Sequence, residues 1–523
     1  MIKSIIKVLL VFFFPLCAMA QGENLRVMKG GCLSSVSDDG TSHRSLRSIP
    51  AARKDWDASR TYRQLVILIS FSDTEFKDDH TLEYYQKVFN EEGYNGGLGP
   101  GCVADYFRTQ SNGKCNLQFD VYGPFKVSTK ACPYESPTKS TRYYGSYYGY
   151  SVMREATNLF IADNPEIDFS QYDWDNNGSV EQVVYVYAGL SGNIDSDASY
   201  GHIWPNTYTF DTITTPDGLK IYNYTASAEL FTKNIPCGIG TICHEFSHSL
   251  GLPDIYPVPS NDKLYTVLDE WDLMDGGIIT NMGWCPPNYT PLEKMLLGWL
   301  TPVELTEATS VAGLKPVTEG GEVYQIKHTD TEYLLLENRQ RVGWDKGIPG
   351  KGLVVYYVNY DESVWRSNRV NNSSSDEDCR FRLIHADNMN YNQWKAYLKE
   401  MDLSTYEGAN FMNSLILSTS SYPQESNTEL TDTSTPAAKM RTKNANGEYL
   451  LSKPVTSIKM SSDGLISFDF MGGATGINDL RISDENGESC IYDLSGKRVY
   501  IPSPGQMYIV KKNGVTRKYV MNP

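Results

Sequence analysis

Beyond residue 20 the chain lacks any apolar run long enough to span a bilayer, and it is short of positive charge. Lys and Arg number 47 against 63 Asp and Glu, a formal net charge of −16. The first absence excludes a transmembrane helix from the exported chain. The second disfavours nucleic acid and anionic membranes as partners, while suiting solubility and calcium binding. A balanced cysteine set is also missing. Of ten cysteines, Cys17 sits in an N-terminal targeting segment, and an odd number remains at positions 32, 102, 115, 132, 237, 243, 285, 379 and 490. At least one thiol is therefore free in any monomer. What is plentiful is core material: 40% hydrophobic residues, with 36 Tyr and 9 Trp, which rules out wholesale disorder. A chain of 523 residues is too long for one small core and predicts two to four domains.

Residues 1–20 carry Lys3 and Lys7, an apolar stretch from Val8 to Leu16 and an A-x-A site at Ala18-Met19-Ala20, the grammar of a cleaved signal peptide. The expected location is therefore secreted or cell surface. Residues 21–60 are polar and basic and read as a leader or short pro-segment. The folded body is expected from Gln64 to Phe71, a buried strand. Helices follow over 81–90, 103–108 and 151–162, with strands over 116–121 and 183–187 between and after them.

One stretch carries chemistry: His244-Glu245-Phe246-Ser247-His248-Ser249-Leu250-Gly251-Leu252-Pro253-Asp254. On a helix His244 and His248 share a face and can grip one ion. Glu245 sits beside them as the general base for a water that zinc activates. Gly251 and Pro253 turn the chain, which allows Asp254 to return as third ligand. Cys243 reads as a buried thiol, since a catalytic zinc keeps one position open. Should Asp254 miss the ion, Glu270 or Asp272 is the fallback. In Cys32 an ordinary leader cysteine is favoured over a thiolate cap on the zinc.

A second motif, Asp173, Asp175, Asn177, Gly178, Ser179 and Glu181, places oxygens at positions 1, 3, 5, 7 and 9 of a calcium loop. Its twelfth position holds Val184 where an EF-hand needs Glu, so Glu181 or an outside residue must close the shell. The rival reading is an Asx-rich turn before a strand. His202 reads as structural.

The run from His244 to Tyr256 resembles the extended zinc signature of metzincin-type peptidases, and its Leu-Pro-Asp-Ile-Tyr ending resembles the immune inhibitor A family of secreted zinc peptidases. Trp271-Asp272-Leu273-Met274-Asp275-Gly276-Gly277 is similar to that family's methionine turn, which puts Met274 under the zinc. Tyr106-Phe107 with Ser111-Asn112-Gly113-Lys114, the segments 333–339 and 352–358, and Pro349-Gly350 resemble it as well. Cys102 and Cys115 flank the first of these and are the best disulfide candidates. The C-terminal segment resembles the sorting domain of type IX secretion cargo, which implies that machinery as a partner.

The expected fold is α+β. A metzincin-like zinc peptidase domain with a mixed sheet and an active-site helix occupies 61–300. A β-rich continuation covers 301–472, and a small β-sandwich covers 476–523. The expected function is a secreted zinc endopeptidase acting on extracellular or host proteins, with Tyr256 either packing or helping the oxyanion. A non-catalytic adhesin and a zinc amidase acting on cell-wall peptides are the rivals.

Overall fold

The computed structural model describes residues 49–473, apart from 139–144, 195–197, 259–265, 374, 391–392, 394–416 and 426, together with parts of 490–520. The expected signal peptide, Cys17 and Cys32 lie outside the described residues. Strand β1 (Tyr62–Ser70) is flanked by β2 (Leu117–Lys126) and β3 (Val183–Leu190), with β5 (Lys220–Thr232) beyond β3; all these pairings are parallel. Strand β4 (Asn206–Thr214) is antiparallel to β5 at the edge, and β6 (Ile235–Pro236) pairs β5. Helices α1 (Leu82–Asn90), α2 (Val103–Gln110), α3 (Gly145–Asp163) and α4 (Gly240–Ser249) accompany this mixed sheet. Thus the strands and helices expected up to residue 190 form, with α3 starting earlier than predicted.

The apolar runs are continuous because both sheet faces are buried, and alternate residues serve different cores. In β1, Val66 and Leu68 join the core that holds α1, α2 and α4, whereas Leu65, Ile67 and Ile69 join the core over α3. A short helix, α5 (Pro291–Leu296), then leads into a second sheet. It contains β7 (Val303–Glu304), β9 (Tyr324–Lys327), β10 (Glu332–Arg339), β11 (Gly352–Asn359) and β12 (Phe381–Leu383). A third sheet contains β8 (Thr309–Leu314), β13 (Val455–Met460) and β14 (Ile466–Phe470). Here too the pleat divides the work. Leu335, Tyr356 and Val358 face the core of α4, while Leu334, Leu336 and Val355 face the third sheet. The second sheet is therefore a wall of the core that holds α4.

Residues 49–60 also pack on this body. Ile49 N–H donates to Arg366 O, and Arg53 N–H donates to Leu250 O at 3.0 Å. Near the C-terminus, β15 (Cys490–Tyr492), β16 (Arg498–Val499), β17 (Met507–Lys512) and β18 (Val515–Val520) make one four-stranded antiparallel sheet. A second layer of the expected sandwich is not found among the described residues. Nor is any helix there long and apolar enough to cross a membrane.

The expected disulfide is corrected. Cys102 and Cys115 are both free, buried thiols. Cys102 is the N-cap of α2: its Sγ accepts from Asp105 N–H at 3.4 Å, while the Asp105 carboxylate accepts from Cys102 N–H at 3.1 Å. The sulfur is spent on a capping box rather than on a partner thiol.

A buried polar layer joins the second sheet to the turn at 271–277, where the methionine turn was expected. Arg339, fully buried, donates two hydrogen bonds to Asp345, one to Glu337 and one to Trp271 O. The Glu337–Arg339 pair is thus structural. Next to it, Glu293 caps α5 by accepting from Thr290 N–H and Oγ1. Burial raises the Asp272 carboxyl well above its usual range, with Glu293 adding to the effect. Burial also pushes Glu293 up to about 7. Asp272 Oδ2 and Glu293 Oε1 are both buried without an acceptor–donor partner, the situation of two carboxyls that share a proton. A raised acid binds its proton more tightly folded than unfolded. This stabilisation is complete below the usual carboxylate pKa and is lost as pH rises through about 7. Glu293→Gln keeps the cap and donates an amide N–H to Asp272 at any pH. Urea melts at several pH values should show the variant gaining on wild type above neutrality, by roughly 1–3 kcal/mol. A constant difference across pH would contradict the shared proton.

Candidate metal centre

Helix α4 carries its chemistry on a scaffold in which every residue from Gly240 to His248 is buried. Phe246 is fully buried against Phe107, Phe119 and Trp174, with ring centroids 4.9, 6.0 and 6.4 Å away. On the same helix Ser247 donates to Cys243 O and meets the Tyr289 hydroxyl. Cys243 is a buried thiol, as expected. Gly240 allows the helix start to sit against Ile278, whose carbonyl oxygen would lie 2.1 Å from an added Cβ. Gly251 ends the helical turn at φ +103, pressed against the Ala51–Ala52 backbone. Only glycine meets both demands there.

Both imidazoles are held through the same ring atom. His244 Nδ1 lies 2.9 Å from Leu273 O, and His248 Nδ1 lies 2.8 Å from Leu252 O. A carbonyl oxygen only accepts, so each Nδ1 carries the proton and each Nε2 presents its lone pair. Asp254 answers from across the turn. Its Oδ1 is 3.2 Å from His244 Nε2 and 3.5 Å from His248 Nε2. The three groups lie within one ion's reach, and all are buried.

The two Nε2 atoms and Asp254 Oδ1 are buried and have no hydrogen-bond partner. Leaving three such atoms unsatisfied would cost several kcal/mol. Two neutral imidazole nitrogens and one carboxylate oxygen are the donor set of a zinc site with a position left open, so the residues present fit the metal. Glu245 lies on the same helix, fully buried. Thr207 Oγ1 donates to Glu245 O and lies 3.2 Å from the carboxylate oxygen Oε2, while Oε1 is without a partner. Burial pushes Glu245 up to about 7, against the pull of His244.

The methionine turn supplies main chain to this site. Leu273 O holds His244, and Met274 O accepts from Ile255 N–H at 2.9 Å, which ties the chain just past α4 to the turn at 271–277. Met274 is fully buried. Tyr256 is buried, its ring parallel to that of His244 with centroids 6.5 Å apart. The fallback ligands are not needed. Asp272 belongs to the Glu293 pair and accepts from Met274 N–H, and the group that could hold an ion contains neither it nor Glu270. His202 stays outside the group, with Nδ1 3.3 Å from Ser199 O. Two contacts were not foreseen. Thr207 on the edge strand β4 bonds Glu245, and Asn368 bonds Asp254. Neither lies in a motif that the local sequence would flag.

Residues 53–287 match the immune inhibitor A peptidase M6 catalytic domain. The resemblance read from the sequence holds for this M6-type domain. Two curated relatives agree. The chain is 24% identical to pre-pro-metalloprotease PrtV of Vibrio cholerae over 267 residues, 43% of this chain and 28% of that protein. It is 22% identical to immune inhibitor A of Bacillus thuringiensis subsp. alesti over 366 residues, 61% of this chain and 47% of that protein. The matches thus span less than half the length of either relative.

At the second motif, Asp173, Asp175 and Glu181 bring one oxygen each within 4.8 Å of one another. Asp173 accepts from the backbone N–H groups of Asn177 and Gly178, Asp175 accepts from that of Asn177, and Ser179 bridges to Lys220. Arg53 already sits on Glu181, with Nη1 3.1 Å from Oε1.

Proposed function

We propose that this chain is a zinc-dependent endopeptidase exported from the cell, cleaving proteins outside it. The observation that carries the reading is the convergence of His244 Nε2, His248 Nε2 and Asp254 Oδ1, all unpartnered, beside a buried Glu245 with one oxygen free. The Vibrio cholerae relative is itself a pre-pro-metalloprotease. Export rests on residues 1–20, and a role for type IX-like secretion machinery rests on the resemblance at the C-terminus.

His244, His248 and Asp254 would hold the ion, above Met274. Zinc bound there would supply a Lewis acid for the scissile carbonyl and would lower the pKa of water, so that a nucleophilic hydroxide could form near neutral pH. Glu245 Oε1 takes a proton from the attacking water as its oxygen bonds to the carbonyl carbon. It then delivers that proton to the amine nitrogen as the C–N bond breaks. Thr207, bonded to Glu245 O and lying beside Oε2, leaves Oε1 as the free oxygen. Leu273 O and Leu252 O keep both imidazoles in the tautomer a metal needs.

Glu245→Gln should lower casein cleavage by about 10²–10⁴-fold while leaving bound zinc unchanged. Removing zinc with a chelator should abolish cleavage, and zinc should restore it. Full activity in the Glu245 variant would remove the general-base role assigned to Glu245, and a wild-type protein that cleaves no protein substrate would end the peptidase reading. Cleavage confined to muropeptides in a mixed substrate panel would favour the amidase. Calcium at Asp173, Asp175, Asn177, Ser179 and Glu181 belongs to the same proposal, with Arg53 as the competing cation. Calcium at a hundred times its Kd should then raise stability by about 2.7 kcal/mol, and Arg53→Ala should tighten binding. Melting temperatures indifferent to calcium in both proteins would remove it.

A further inference from the structure

Asn368 lies beyond residues 53–287, the stretch that matches the peptidase domain. It follows helix α6 (Glu362–Arg366), which continues from β11. It is buried, and its backbone is left-handed at φ +56, a conformation that asparagine tolerates better than most residues. Its amide makes a two-point clasp on Asp254. Nδ2 donates to Asp254 Oδ2 at 2.7 Å, and Oδ1 accepts from Asp254 N–H at 2.7 Å. Asn371 fixes the same loop by donating to Ile255 O and Phe381 O while accepting from Phe381 N–H. The two oxygens of Asp254 therefore have different fates. Oδ2 is taken by the amide, and Oδ1 alone faces the two imidazoles without a hydrogen bond.

We propose that Asn368 is a positioning residue for the metal centre, holding the Asp254 carboxylate so that it offers the ion one oxygen rather than two. The proposal rests on the zinc reading given above. A single oxygen from Asp254 completes a three-ligand set and leaves the next position to water and substrate, as a catalytic zinc requires. Groups that orient a metal ligand in this way are worth about 10–100-fold in metal affinity. The β-rich region then supplies a working part of the site as well as a wall of its core.

Two substitutions in the full-length chain separate this role from simple support of the loop. Asn368→Gly keeps the left-handed backbone at no steric cost and removes the amide. Asn368→Asp keeps an acceptor for Asp254 N–H but sets a second carboxylate against Oδ2. Zinc affinity is read by competition with a chromogenic chelator, and coordination by the visible spectrum of the cobalt-substituted protein. Folding of each apo form is checked by circular dichroism. The expected result is zinc binding about 10–100-fold weaker than wild type in folded Asn368→Gly, and at least as weak in Asn368→Asp. The cobalt spectrum should change in both as the carboxylate turns. Where the glycine variant does not fold, the aspartate variant decides. Zinc affinity within about twofold of wild type, with an unchanged cobalt spectrum, would overturn the assignment to Asn368. Failure of the wild-type protein itself to bind zinc or cobalt would overturn the metal reading on which it stands.

Discussion

The site depends on two N–H···O=C hydrogen bonds, from His244 Nδ1 to Leu273 O and from His248 Nδ1 to Leu252 O. They settle which ring nitrogen carries the proton, and so which can face a cation. Neither carbonyl is on helix α4. Leu252 lies in the turn just past it, and Leu273 in the methionine turn about twenty residues on. Much of the surrounding structure can be understood as holding those two carbonyls still. Gly251 makes the first turn, Ile255 N–H bonds Met274 O to bring the second beneath it, and Arg339 anchors the strand of chain that enters the second at Trp271 O.

Burial raises the stakes of this arrangement. With His244, Glu245, His248 and Asp254 all almost without solvent contact, any lone pair not used by the protein is a cost that only a ligand can recover. The calcium-like loop is a useful contrast. Asp173 spends both oxygens on backbone N–H groups, and Glu181 has an arginine on it. The two sets thus differ in how their polar atoms are used: His244 Nε2, His248 Nε2 and Asp254 Oδ1 have no hydrogen-bond partner, whereas Asp173 and Glu181 are bonded by their own chain.

Much of the site was legible because it is local. The i, i+4 histidines, the intervening glutamate, the Gly251 turn and the return of Asp254 all lie within eleven residues, where helix geometry relates the first three and a glycine–proline turn brings back the last. The flanking strands were legible from continuous apolar runs, since burial on two faces leaves no polar alternation to misread. Strands β4 and β5 were not foreseen. Sequences such as Lys220-Ile221-Tyr222-Asn223-Tyr224-Thr225 mix polar and apolar residues without a dominant period, and their pairing with each other and with β3 is what makes them strands. The Cys102–Cys115 disulfide failed for a related reason. Flanking a motif says nothing of where a sulfur points, and Cys102 points along its own helix axis to cap it.

Thr207 and Asn368 mark the limit of local reading, since each meets its partner 38 and 114 residues away in sequence. Asp254 helps to explain why such distant help is needed. A third histidine could be fixed as His244 and His248 are, by an Nδ1–H on a nearby carbonyl. A carboxylate has no N–H to give, and its two equivalent oxygens can both turn toward a cation. Its orientation must come from a donor supplied by some other part of the chain. In this protein that donor is an asparagine in the second-sheet region, so the use of aspartate at this position and the packing of that sheet against α4 are two consequences of one constraint.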